Sequence, residues 1–123
     1  MKKSIYLVIV FFILLSKYAF AESEKMILEL KYGKVEIELY PDKAPEHVKR
    51  FKDLAAQGKY DNVVFHRVIE GFMAQTGDVK YGNSKSPNFN LSLAGTGSSD
   101  LPDLKSEFSD IAHTRGILSA ARS

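Results

Sequence analysis

The sequence predicts a mainly β chain that carries one amphipathic helix. Three observations predict it. Two short runs place apolar residues at every second position on either side of Tyr32-Gly33. A stripe of apolar residues at helical spacing follows Pro45. A β-branched and aromatic run at 63–69 leads into Glu70-Gly71. Period two belongs to the half-buried strand and period 3.6 to the amphipathic helix, so each pattern names its element. At 123 residues the chain holds one small domain.

Residues 1–21 come first and stand apart. They run from Lys2-Lys3 through an apolar stretch at 5–15 to Ala19-Phe20-Ala21. Basic, then apolar, then small is the order of a secretory signal peptide, with cleavage expected after Ala21. The expected mature chain, 22–123, is secreted or periplasmic. The apolar stretch is too short to span a bilayer comfortably, which argues against the alternative of an uncleaved anchor, and no stable membrane insertion is expected after cleavage. Cleavage removes three of the 17 basic residues and none of the 15 acidic ones, turning a net +2 into about −1. A chain this near neutrality gives no electrostatic case for nucleic acid. Cysteine is absent, which excludes a disulfide, a thiol nucleophile and a cysteine metal site.

Residues 26–31 and 34–40 are expected to pair as a hairpin around Tyr32-Gly33. Setting Lys31 opposite Lys34 places Leu30 opposite Val35, Leu28 opposite Ile37 and Met26 opposite Leu39. All six apolar side chains then share one face. That register sets Glu29 against Glu36, which is mildly unfavourable, with Lys31 and Lys34 in diagonal reach. Tyrosine is an unusual first residue for a two-residue loop.

Pro41-Asp42 ends the second strand, and Pro45 suits the first turn of a helix, where a missing N–H costs nothing. Val48, Phe51, Leu54 and Ala55 fall on one stripe, with Glu46, Lys49, Arg50 and Lys52 outward. Gly58 is the expected stop. Such a helix would cover an open sheet or barrel end.

The strand at 63–69 carries Arg67 within an apolar run, and a guanidinium is too costly to bury unpaired. After the Glu70-Gly71 turn, Met73, Gln75 and Gly77 share one face, and Gly77-Asp78 closes the segment. The result is a cationic fork, two large apolar side chains (Phe72, Met73) and an amide (Gln75) on adjacent strands. That set suits a substrate that is apolar but carries a carbonyl. The plain alternatives are an Arg67 paired with Glu70 or Asp78, a Phe72 and Met73 that merely pack, and a Gln75 that satisfies backbone. His66 reads as a hydrogen-bonded core residue. His47, His66 and His113 lack ligand spacing, so no metal site is expected. Gly95-x-Gly97 lacks the third glycine of a phosphate loop. Residues 79–93 are rich in turn formers and continue through Gly95 to Asp103 as one long loop, a length that is usually functional or mobile. Residues 117–121 begin another strand.

The run 65–78, FHRVIEGFMAQTGD, resembles the core motif of the cyclophilins, peptidyl-prolyl cis-trans isomerases that in many members bind cyclosporin. Gly95-Thr96-Gly97, Ser106-Glu107-Phe108 and Gly116-Ile117-Leu118-Ser119 agree in order, so the resemblance runs from about Met26 to the last residue. It implies an antiparallel β-barrel of eight strands. Cyclophilins continue beyond this point with a Gln-Phe-Phe segment and an aromatic stretch that complete the proline pocket. The expectation is therefore the N-terminal part of such a domain: an incomplete barrel, a fragment or a shortened gene, marginal or partly molten alone. Ser98 stands where the family commonly has a second glycine, and Ala120 where methionine is frequent.

The resemblance implies catalytic roles for Arg67, Phe72 and Gln75, and substrate contacts for Met73, Gly95 and Ala121. Arg67 would meet the nitrogen of the twisted amide, Phe72 and Met73 would wall the proline ring, and Gln75 would hold substrate backbone. It implies no cofactor. The implied partners are proline-containing polypeptides, with cyclosporin-type ligands for the same groove, and the chain is expected to be a monomer. Two functional classes follow: an isomerase that assists the folding of exported proteins, or an inactive remnant that binds proline-containing chains weakly.

Overall fold

The computed structural model describes residues 23–121. The expected signal segment and its cleavage site lie outside the described residues. The elements in order are β1 (Lys25–Leu30), β2 (Gly33–Glu38), α1 (Pro45–Ala56), β3 (Arg67–Ile69) and β4 (Met73–Gln75). They fall into two compact units that divide between Glu38 and Leu39. Mostly strands with one helix was expected and is found. Among the described residues the strands pair only as two open two-stranded antiparallel sheets, β1–β2 and β3–β4, so no closed barrel is formed. No described helix is long and apolar enough to cross a membrane.

In the first unit the hairpin forms, but two residues out of the expected register. Leu30 pairs with Gly33, Glu29 with Lys34, Leu28 with Val35 and Met26 with Ile37. The loop is Lys31-Tyr32, and Gly33 follows it at φ +145°. A slip of two leaves every side chain on its expected face, so the apolar pattern alone could not choose between the two registers. Charge separates them. The observed pairing replaces Glu29 against Glu36 by Glu29 against Lys34, joined at 2.7 Å, and Lys25 reaches Glu36 diagonally at 2.6 Å.

In the second unit α1 begins at Pro45 and has Ala44 at its N-cap, a side chain that cannot accept a hydrogen bond. Two N–H groups of the first turn are satisfied from far along the chain. The Glu107 carboxylate accepts from Glu46 N and His47 N, both at 3.0 Å, and meets His47 Nδ1 at 2.6 Å. A carboxylate at this end also suits the helix dipole. Burial opposes its charge, and these donors outweigh burial, so the Glu107 carboxyl is held below its ordinary value. The stop is as expected. Gly58 adopts φ +68°, its N–H reaches Ala55 O at 2.9 Å, and Lys59 N reaches Leu54 O at 2.9 Å, the paired bonds of a Schellman motif. Leu54 is buried, while Val48, Phe51 and Ala55 are half-buried. Phe51 also meets Tyr60, ring to ring, at 5.4 Å. Arg50 does not face fully outward: it is half-buried and donates to Pro102 O at 3.0 Å.

Two expected strands are shorter or absent. Residues 63–66 contribute a single bridge from Val63 to Asn83 and the bond from Val64 N to Gly82 O at 2.9 Å, and only 67–69 forms a strand. Residues 117–121 form no strand, because extended backbone becomes sheet only when a partner completes its ladder. The buried apolar side chains among the described residues are Leu39 and Leu54, whereas Val68, Phe72 and Leu118 are well exposed.

Candidate active site on the β3–β4 hairpin

The β3–β4 turn is closed by Phe72 N donating to Ile69 O at 3.1 Å, with Gly71 at φ +72° in the third position of the turn. A type II turn calls for positive φ there, which glycine adopts without a Cβ penalty. The pairing this turn sets is Arg67 with Gln75, Val68 with Ala74 and Ile69 with Met73. Arg67 and Gln75 are therefore directly opposed on one face, and Met73 lies two positions along on that face. Arg67 is exposed, and Met73 and Gln75 are half-buried. Phe72 projects from the turn and is 75 % exposed.

The ion-paired alternatives for Arg67 are not realised among the described residues. Asp78 is otherwise engaged. Its Oδ1 accepts from Lys80 N and Tyr81 N, both at 2.9 Å, and its Oδ2 from Gly95 N at 2.7 Å and Gly97 N at 2.9 Å. The side chain is 3 % exposed. Burial pushes its carboxyl up, and the four N–H donors more than reverse that, so it sits below its ordinary value. One carboxylate thus ties the 95–97 loop to the continuation of β4.

Gly95 has a second reason to be glycine. It adopts φ +99°, and a Cβ there would fall 2.4 Å from Cδ2 of His66. Gly97 is equally tight, since its Cβ would lie 2.6 Å from Asp78 Oδ1 and 2.8 Å from Lys80 Cβ. His66 is not the hydrogen-bonded core residue expected: its Nδ1 is buried without a hydrogen-bond partner, and its ring serves as the surface on which Gly95 rests. The long loop is turn-rich as expected, and much of it is tied down. Asn83 and Asn90 side chains accept from Lys85 N and Ser92 N, and Thr96 N and Oγ1 both donate to Leu93 O.

The structure therefore brings Arg67, Met73 and Gln75 onto one face and sets Gly95 against the residue before Arg67. Phe72 stands at the turn beside them. Ala121 is exposed and outside any strand. Sequence reasoning missed Asp78 and Glu107 as organising residues. A signal existed for Glu107: a helix that starts Ala44-Pro45 lacks a capping side chain of its own, so an acceptor must come from elsewhere. Asp78 had only the weaker hint of a loop with glycine N–H groups in need of an acceptor.

This arrangement can present one permanent cation and one amide to a bound backbone, with apolar surface alongside. It offers no nucleophile.

Comparison with known proteins gives the family. Residues 25–123 match the family described as cyclophilin type peptidyl-prolyl cis-trans isomerase/CLD. A protein of Brucella suis biovar 1, named probable peptidyl-prolyl cis-trans isomerase, is 53 % identical over 98 residues, which is 80 % of this chain and 50 % of the relative. Its counterpart in Brucella abortus (strain 2308) is 52 % identical over the same shares. A Rhizopus delemar protein named peptidyl-prolyl cis-trans isomerase-like 1 is 50 % identical over 58 residues, 47 % of this chain and 35 % of its own length. The chain spans about half the length of the Brucella relatives it matches. No solved structure matches.

Proposed function

The chain belongs to the cyclophilin-type peptidyl-prolyl cis-trans isomerase family, and from that premise we propose that it accelerates X-Pro isomerisation in exported polypeptides, with Arg67 acting on the twisted amide. Amide resonance sets a barrier of roughly 18–20 kcal/mol, and uncatalysed exchange takes tens to hundreds of seconds. Lowering that barrier takes no proton donor of shifted pKa and no metal. It takes surroundings that fit the twisted amide better than either planar form. At the twist the nitrogen pyramidalises and gains a lone pair, so a donor aimed at it stabilises the twist alone. A guanidinium suits this because its planar fork stays charged and can also hold a carbonyl.

The observation that carries the reading is Arg67 exposed, without an ion-pair partner among the described residues, and directly opposite Gln75. In the proposed site Phe72 and Met73 wall the proline ring, Gln75 holds substrate backbone, and Gly95 and Ala121 line the groove. The order of residues 1–21, that of a signal peptide, is what supports work in the periplasm or the exterior, and an exported mature species beginning at Glu22 tests it. The direct test is relaxation of an Ala-Ala-Pro-Phe peptide. Arg67→Ala should lose on the order of 10²–10³ in kcat while still binding peptide. Unchanged catalysis in that variant would sink the assignment.

The exposure of Phe72, 75 %, favours one second reading. A ring that walls a proline pocket needs a surface facing it, and without one the chain would bind proline-containing segments and not turn them over. Peptide binding by the wild-type chain with no acceleration selects that reading.

A further inference from the structure

Gly95 is fixed from two sides by the hairpin that carries Arg67 and Gln75. From one side, Asp78 Oδ2 accepts its N–H at 2.7 Å and that of Gly97 at 2.9 Å. From the other, the His66 ring lies so close that even a methyl group on Gly95 would overlap it. His66 immediately precedes Arg67, and Asp78 lies three residues beyond Gln75. The 95–97 loop therefore takes its position from the chain segments that flank the candidate catalytic pair. Thr96 directs both its N–H and its hydroxyl to Leu93 O, within the loop, so the hydrogen bonds that tie the loop to the hairpin's continuation are those to the Asp78 carboxylate.

We infer that Asp78 is a positioning residue for peptide binding: by holding Gly95 and Gly97 it sets the gap between the 95–97 loop and the Arg67–Gln75 face. The inference rests on the reading above that Gly95 lines the substrate groove. A groove wall touches the peptide in the planar and twisted forms alike. Its displacement removes uniform binding, which raises KM and leaves kcat in place, whereas loss of Arg67 acts on the twisted form and lowers kcat. The two kinds of residue are thereby separable by kinetics.

Asp78→Asn keeps the size of the side chain and one acceptor oxygen, and turns the other into an N–H donor. Two of the four backbone N–H groups then lose their acceptor. Gly95→Ala moves the same loop from its other side, by collision with His66, with the carboxylate intact. Measured on the full chain with an Ala-Ala-Pro-Phe peptide, each variant should raise KM about tenfold with kcat changed by less than about twofold. The double variant should be no worse than about twofold beyond the weaker-binding single, because both act through one loop position. Independent losses would multiply to about a hundredfold, and that outcome, or a fall in kcat at unchanged KM, overturns the inference.

Should Asp78→Asn lose its circular dichroism, Gly95→Ala decides alone: a raised KM at unchanged kcat supports the inference and an unchanged KM overturns it. Arg67→Ala in parallel keeps the two readings apart. Full catalysis in that variant removes the role given to Arg67 and leaves the Asp78 result to stand on binding. A wild-type chain that neither binds nor isomerises the peptide overturns both.

Discussion

Leu54→Ala tests how this chain stays folded. Leu54 is 6 % exposed, and with Leu39 at 7 % it makes up the buried apolar set of the described residues. The substitution removes three carbons, which at about 0.8 kcal/mol per buried CH₂ is roughly 2.4 kcal/mol of transfer free energy. A closed core would add a cavity penalty and bring the loss toward 5 kcal/mol. Here that addition should be small. Leu54 already lines a partly open cavity of about 230 Å³, together with Val79, Leu101 and the polar Gln57, Lys59 and Ser98. Water can enter the vacated space, so no dry void is left. The expected loss is therefore about 2–3 kcal/mol, lessened slightly by the better helix propensity of alanine. Urea unfolding followed by circular dichroism reads it directly. With a slope of about 1–1.5 kcal/mol/M for a chain this small, the midpoint should fall by roughly 2 M at unchanged slope. Val68→Ala is the control, since Val68 is 67 % exposed and should shift stability by less than about 0.5 kcal/mol. A Leu54→Ala shift no larger than that of Val68→Ala would refute the reasoning.

Three further outcomes are expected. Asp78 and Glu107 are both held below their ordinary values, so the stability they add is complete above about pH 4.5 and is lost as pH falls through their folded values. Asp78→Asn should flatten that acid limb in a pH series of thermal midpoints, and an unaltered limb would contradict the four-bond assignment. Gly97→Ala should cost about 1–3 kcal/mol by crowding Asp78, Lys80 and Tyr81 in the absence of a positive-φ requirement; a neutral urea midpoint would show that the loop has room. Arg67→Lys keeps the charge and loses the planar fork, so kcat should fall nearly as far as in Arg67→Ala, and a lysine variant close to wild type would show that charge alone suffices.

Much of the local structure was legible because its causes are local. Alternating apolar residues named the faces of β1 and β2, Pro45 and Gly58 bounded α1, and Glu70-Gly71 marked the turn that sets Arg67 across from Gln75. The motif at 65–78 carried the family for the same reason: four of the residues that would meet substrate, Arg67, Phe72, Met73 and Gln75, sit within one hairpin. The register of β1–β2 was not legible from apolar alternation, since a shift of two residues preserves every face, and the cross-strand charges separated the choices.

Tertiary structure alone decided the roles of Asp78, Glu107 and His66. Asp78 reaches 17 and 19 residues ahead to the N–H groups of Gly95 and Gly97, and Glu107 reaches back 60 and 61 residues to His47 and Glu46. Partners so far apart leave no spacing in the sequence, because a hydrogen bond depends on where the folded chain brings its ends. The same holds for 117–121: its composition is that of a strand, but a strand exists only where a second one completes its hydrogen bonds.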